Sequence, residues 1–447
     1  MKKNIYGMIA TFLALAAAWP LGGMGQTLQP LGADRLELKG PLSTAQAVET
    51  GLRENLMARA ARSDIKAAAA ETRVARSQTR LQVSANTYLS IGDTNNILYT
   101  AGNVMPQNYL SVPSHGFADQ NLTLMVPLYT NGRLENSVRA ASQREQAIAS
   151  DAGGVQADIA LRIKEAYYRV LLAAETIQTA QARVDASAAL VKNMQALFTA
   201  GKGLEASVRR VEAEQADAQR ALITARNACV KGMLDLKAAM GIRLDSDITL
   251  SDAFTYLPLT GDLSAQMTDA AKMRPELQAA RVRAMAAHTQ SRSVRGAQGP
   301  QVYGMAMADG FTSHPQGTRE GYTVGVVLSL PLIDGGQRRA ETAQALARQE
   351  RAEAEARDLE LHVSVEVQTA WLDATTAAEN YRAAQSALQA AQSAYDVTAL
   401  RVQNQKGLLV EQLDALASLT QARGNVAQAL YDHSLAVARL QRAVGRP

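Results

Sequence analysis

Two long stretches without proline constrain this 447-residue chain more than any other feature. Proline removes a backbone donor and clashes with the preceding turn, so long helices can lie only where it is absent. None occurs between Pro127 and Pro258 or between Pro331 and Pro447, and both stretches are rich in Ala, Gln, Arg, Glu and Leu, which favour helix. In the first, apolar residues recur at Val155, Ile159, Ile163, Ala166, Val170, Ala173, Ile177, Ala180, Val184, Ala188, Val191, Met194 and Phe198. Steps alternating between four and three average near 3.5, the period of a supercoiling helix. A helix from Gly132 to Gly201 would run ~100 Å at 1.5 Å per residue, and a similar one is predicted from about Gly336 to Lys406. Gly153-Gly154, inside the first, points to a bend or a close contact.

Shorter helical patterns flank the long ones. One runs from Ser43, which forms a capping-box pattern with Gln46, to about Arg80, and another covers about Leu204 to Met240. Their counterparts are about Ala265–Ser293 and Leu408–Ala443. The two short helices of each half sum to about the length of its long one, as expected for two short rods stacked end to end beside a long rod.

Prolines cluster instead at Pro106, Pro113, Pro127, Pro300, Pro315 and Pro331, among segments that alternate like strands. Val83 to Ile91, Leu122 to Val126 and Tyr322 to Leu330 alternate clearly, and Gln301 to Met307 more weakly. Loops are expected at Gly92–Gly116 and Asp309–Gly321. The halves repeat: Val126-Pro127-Leu128 matches Leu330-Pro331-Leu332, Gly132 matches Gly336, and Tyr167 falls on Trp371, all at an offset of 204. Each half reads as helix, strand, loop, strand, long helix, turn, helix.

The beginning of the chain reads as a secretory signal over residues 1–25: Lys2 and Lys3, an apolar run from Ile9 to Trp19, then small residues at Gly23-Met24-Gly25. No other stretch reaches the ~18–20 apolar residues of a spanning helix, so membrane entry requires strands, and strands in lipid require a closed barrel. Four strands are too few, since the smallest membrane barrels have about eight, so several copies must combine. Without Lys2 and Lys3 the chain has 44 basic and 42 acidic residues, and no basic block with interleaved aromatics points to nucleic acid. Cys229, the only cysteine, excludes an intrachain disulfide and reads as a small apolar helix residue.

No residue pattern points to catalysis, a cofactor or a metal. His115, His288, His314, His362 and His433 show no His-x-x-x-His spacing. No glycine-rich phosphate loop follows a strand, and no nucleophile sits in an elbow.

This layout resembles the TolC family of outer-membrane factors over nearly the whole chain after residue 25. The resemblance rests on Leu42-Ser43 through Ala47-Val48 to Asn55-Leu56, on Arg274-Pro275-Glu276-Leu277 with Ala279-Ala280, on the strand-to-helix junctions at Pro127 and Pro331, and on Leu413-Asp414-Ala415. It implies a mainly α chain with a membrane β-barrel: a homotrimer with a 12-stranded barrel in outer-membrane lipid and a 12-helix coiled-coil tunnel through the periplasm. The repeats would be residues 26–245 and 265–447, joined by an equatorial linker at 246–264. The duct would passively conduct substrates delivered by an inner-membrane pump (resistance-nodulation-division, ABC or major-facilitator type) through a periplasmic adaptor.

The resemblance also implies that the helical tips at Gly201, Lys202, Gly203 and Leu204 and at Lys406, Gly407 and Leu408 dock the adaptor. Offset 204 pairs Gly203-Leu204 with Gly407-Leu408, whereas offset 202 pairs Val211 with Leu413 and Ala213 with Ala415 and puts Gln405 where the family has glycine. A periplasmic gate would use Glu411 and Asp414, with Lys406 or Arg401 as ion-pair partners, while Arg209 stands where an acid is common. Acids in a first helical turn also simply complement its dipole. Two other classes fit the helices alone. A periplasmic adaptor would carry one hairpin between small barrel domains, and a coiled-coil stalk would carry heptads without strands.

Overall fold

The computed structural model describes residues 35–94, 114–259, 261–313, 317–404 and 406–446. The expected signal segment, Gln405 and most of the first expected loop lie outside these residues. In chain order the described elements are β1 (Lys39–Leu42), α1 (Thr44–Glu54), α2 (Leu56–Ser77), β2 (Gln82–Thr94), β3 (Ser114–Tyr129), α3 (Arg133–Thr199) and α4 (Glu205–Met240). The second half follows with β4 (Asp247–Leu250), α5 (Leu263–Met273), α6 (Pro275–Gly296), β5 (Gln301–Ser313), β6 (Gly317–Ser329), α7 (Gln337–Gln403) and α8 (Leu409–Val444). Helix lengths recur in the same order, with 11, 22, 67 and 36 residues in each half.

The long helices form where the proline-free stretches predict. Of the α3 stripe, Ile159, Ile163, Ala166, Val170, Ala173, Ala180 and Met194 are buried, whereas Phe198 at the far end is exposed. Three sequence expectations need correction. The helix expected from Ser43 to Arg80 is two helices broken at Asn55, whose extended backbone lets its side chain accept from the Met57 amide. Its counterpart breaks at Arg274, because Pro275 forces the residue before it into extended backbone. The Asp309–Gly321 loop is mostly strand, with β5 running to Ser313 and β6 starting at Gly317. The capping box of Ser43 and Gln46 is present at the start of α1. The short parallel pair β1–β4 escaped the sequence reading because four-residue strands carry too little alternation to detect.

The breaks at Asn55 and Arg274 are the joints of the stacked rods. α4 ends at Gly241, whose left-handed backbone (φ 77°) turns the chain against Asn55, and the Asn55 amide donates to the Ala239 carbonyl at 2.8 Å. α8 ends at Gly445 (φ 90°) against Arg274, whose guanidinium donates to the Ala443 carbonyl at 3.0 Å. The stack α2/α4 lies beside α3, α3 beside the stack α6/α8, and that stack beside α7, so four rods form one layer. α3 buries 18 of its 67 residues and α7 only 7 of 67, which marks α7 as an outer rod with an open side. Leu361, Val365 and Leu372 on α7 are exposed, as are Ile223 and Val230 on α4 at the opposite side of the layer.

The two joints are built from different chemistry. Around the first, Leu42, Ile159, Ile163, Tyr167, Leu236, Met240, Ile242 and Ile248 form an apolar core. The hydroxyl of fully buried Tyr167 donates to the Leu42 carbonyl at 2.9 Å and accepts from the Asp252 amide at 3.3 Å. Asp252 in turn accepts from the Thr44 amide and hydroxyl, both at 2.7 Å. Burial pushes its carboxyl up, but these donors outweigh it and hold it below the usual carboxylate range. Around the second joint, Arg442 bonds Asp158 and Glu366 at 2.7 Å and Glu276 at 2.9 Å, and Arg274 bonds Glu366 at 2.7 Å. Gly153 and Gly154 explain themselves here. A Cβ on Gly153 would lie 3.3 Å from Pro275 and one on Gly154 3.0 Å from Glu276, so the start of α6 seats directly on the α3 backbone.

β2, β3, β5 and β6 make one antiparallel sheet in that order. The register aligns whole rows: Ala85–Leu122–Ala308–Tyr322 and Val83–Leu124–Ala306–Val324 on one face, Asn86–Asn121–Asp309–Gly321 and Ser84–Thr123–Met307–Thr323 on the other. The first face is apolar and open to its surroundings, with Tyr322 85% and Val324 76% exposed.

Tyr167→Phe leaves the Leu42 carbonyl only the Ser251 amide at 3.1 Å and takes the hydroxyl acceptor from the Asp252 amide, and should cost about 1 kcal/mol, read as a lower thermal midpoint by circular dichroism. Arg442→Met takes the ion-pair partner from Asp158 and leaves Glu276 and Glu366 with Arg274 across a partly solvated joint. A loss of about 1–3 kcal/mol is expected, and a double-mutant cycle with Glu366→Gln should show coupling. Because the folded state lowers the Asp252 pKa, this carboxylate stabilises the fold above the ordinary value of about 4, and the benefit disappears as pH falls through its folded value. The stability gap between wild type and Asp252→Asn should therefore be constant from neutral pH down to about 5 and close below about 4.

Candidate functional site

Three features offer themselves to other molecules: the helical tips, the sheet edges and the apolar sheet face.

At the first tip α3 stops because Gly201 takes left-handed backbone (φ 73°), and the Lys202 amide donates back to the Leu197 carbonyl at 2.9 Å. Gly203 closes the turn so tightly that a Cβ would lie 3.0 Å from the Phe198 nitrogen. The second tip repeats this: the Lys406 amide donates to the Arg401 carbonyl at 2.8 Å, and a Cβ on Gly407 would lie 3.2 Å from the Val402 nitrogen. Leu204 and Leu408 are the N-caps of α4 and α8, without a side-chain cap, and are 72% and 68% exposed. Equivalent bonds therefore recur at offset 204, which fixes the tip register that the sequence left open. Lys202 and Lys406 project at the two turns, both exposed.

Behind the tips, Leu190 and Met194 of α3, Val208 and Val211 of α4 and Leu416 of α8 form a small core that holds the two hairpin ends side by side. Glu411 and Asp414 lie in the first turns of α8 and are exposed, as are Arg401 and Lys406. No ion pair joins these four among the described residues. Arg209 is met on its own helix by Glu212 at 3.0 Å and Glu205 at 3.4 Å, and Glu212 before Glu205 raises its pKa. At offset 204 the counterparts of Glu411 and Asp414 are Ser207 and Arg210, so a carboxylate pair exists in the second half alone. The sequence reading missed the charge cluster at the second joint. Arg274-Pro275-Glu276 was its visible signal, but Asp158, Glu366 and Arg442 come from three other helices and share no local pattern.

The outer edges of β2 and β6 have no partner strand among the described residues. No described helix is long and apolar enough to cross a membrane.

Residues 52–242 and 267–446 match the outer membrane efflux protein family. The alkaline protease secretion protein AprF of Pseudomonas aeruginosa is 25% identical over 295 residues, a match covering 64% of this chain and 61% of AprF, so the chain spans about three fifths of that relative. Among solved structures, the outer-membrane channel OprN is similar over 90% of each chain, with a TM-score of 0.76 and 20% identity. The outer membrane protein VceC of Vibrio cholerae is similar over 90% of this chain and 96% of its own, with a TM-score of 0.74 and 17% identity. The family match disfavours the adaptor reading. The chain belongs to the outer membrane efflux protein family, the TolC-type channels of the outer membrane that reach into the periplasm.

Proposed function

We propose that three copies close into one continuous exit duct, a 12-stranded barrel in the outer membrane followed by a 12-helix tunnel, that receives its cargo from an inner-membrane pump through a periplasmic adaptor. The observation that carries this reading is the four-stranded sheet whose two edges are unpaired among the described residues and whose apolar face is exposed. A membrane strand needs every backbone group bonded, so β6 of one copy must pair with β2 of the next. Three copies supply the strands of a barrel well above the minimum of about eight. Four rods per copy supply the tunnel, and the exposed stripes on α7 and α4 meet at the seam between copies. The recurring helix lengths support two structural repeats, residues 26–245 and 265–447, joined by the strap at 246–264.

The tips are the docking points for the adaptor. Exposed Leu204 and Leu408, beside Lys202 and Lys406 on tight glycine turns, present an apolar knob with a cation next to it at each hairpin end. Within the mouth, the carboxylates of Glu411 and Asp414 from three copies favour cations and latch the entrance by reaching Arg401 or Lys406 of a neighbouring copy. Transport of a secreted protein and efflux of small molecules are both served by such a duct, because the pump behind it selects the cargo.

Charge reversal at Lys202 (Lys202→Glu) or a bulky side chain at the closed turn (Gly203→Trp) should abolish transport in cells while trimers survive on native gels. Normal transport by both variants would defeat docking at the tips, whereas loss of the trimer would point to a folding defect.

A further inference from the structure

On the polar face of the sheet, Met125 and Met305 are direct cross-strand partners, and Met307, opposite Thr123, is the next residue of β5 on that face. Direct partners hold their Cβ atoms about 5 Å apart, and same-face neighbours stand about 7 Å apart. Three-torsion side chains on such a triangle can bring their sulfurs together. Met307 is only 7% exposed, although no described helix packs across the sheet. Its same-face neighbours are Thr123 and Thr323 across the strands, Met305 along β5 and Met125 on the diagonal. On that face the row on one side, Ser84–Thr123–Met307–Thr323, carries hydroxyls, and the row on the other side is Pro127–Tyr303–Val327.

We propose that Met125, Met305 and Met307 form a binding site for a soft monovalent cation, Cu(I) or Ag(I). Thioether sulfur is a soft, neutral donor that selects these ions over Ca²⁺, Mg²⁺ or Zn²⁺. Three neutral ligands leave the ion its charge, so it is held by coordination alone and released readily, which suits a wall that ions pass. The site belongs to a single chain, and only its position inside the duct rests on the trimeric reading.

The test is calorimetric titration of silver nitrate, in chloride-free buffer, into the full-length protein in detergent. Cys229→Ser serves as the parent, because the half-buried thiol is a competing soft donor. Adding Met125→Leu, Met305→Leu and Met307→Leu preserves side-chain volume and should remove one silver ion per chain. Silver-edge X-ray absorption of the loaded parent should show a sulfur shell and requires no further variant. Equal silver uptake by parent and variant, or a shell of only nitrogen and oxygen, would overturn the site and leave the methionines as packing. Size-exclusion chromatography of the same samples judges the duct separately: silver on sulfur in a monomer keeps the site and sinks the trimer, and a trimer without it does the reverse.

Discussion

Backbone amides and carbonyls have no water to bond inside a bilayer, so a lipid-facing sheet must close on itself. The sheet described here stops at β2 on one side and β6 on the other, with Val83, Leu124, Ala306 and Val324 in one apolar row across it. In the proposed assembly further copies of the chain satisfy both edges, and rods rising from such a ring must themselves form one layer. Within the chain α2/α4, α3, α6/α8 and α7 do lie in one layer.

A single layer of rods gives each rod at most two neighbouring rods and limits how much apolar surface each can bury. The long helices respond with alanine-rich, close-packed stripes, and the energetic weight moves to the waist, where the stacked rods meet. There the same geometric problem, bringing the end of a 36-residue helix against the start of a 22-residue one, is solved twice. Asn55 and Arg274 occupy matching places and bond matching carbonyls, Ala239 and Ala443. The first joint is sealed by an apolar core with Tyr167 at its centre, the second by ion pairs spread over α3, α6, α7 and α8. The strap between the halves crosses this waist. Phe254 stacks on Tyr168, and Tyr256 lies against both Tyr381 and buried His433, whose Nε2 meets the Leu257 carbonyl at 2.7 Å.

Much of this was legible in the sequence because the signals were long. Sixty-seven residues without proline, with apolar steps of three and four, read as a helix whatever surrounds them. Strand alternation at Leu122–Val126 and Tyr322–Leu330 was equally plain, since each strand has one apolar face. The breaks at Asn55 and Arg274 were obscured by helical composition on both sides, although Pro275 was a local warning. The strands reach Ser313 and begin again at Gly317, where a loop was expected over Asp309–Gly321, because backbone pairing tolerates residues such as Gly310 that propensity disfavours. The charge cluster at the waist was illegible for a different reason. It gathers residues more than 280 positions apart, such as Asp158 and Arg442, and only the fold makes them neighbours. At the tips, the sequence offered two registers, and the hydrogen bonds of Lys202 and Lys406 chose between them.

Electron-microscope averaging of the full-length protein, extracted from outer membranes in mild detergent, bears on closure most directly. The account predicts a threefold tube longer than ~100 Å, the rise of its long helices, with a barrel at one end and tapered tips at the other. Compact monomers, or a thin rod without a barrel, would contradict it.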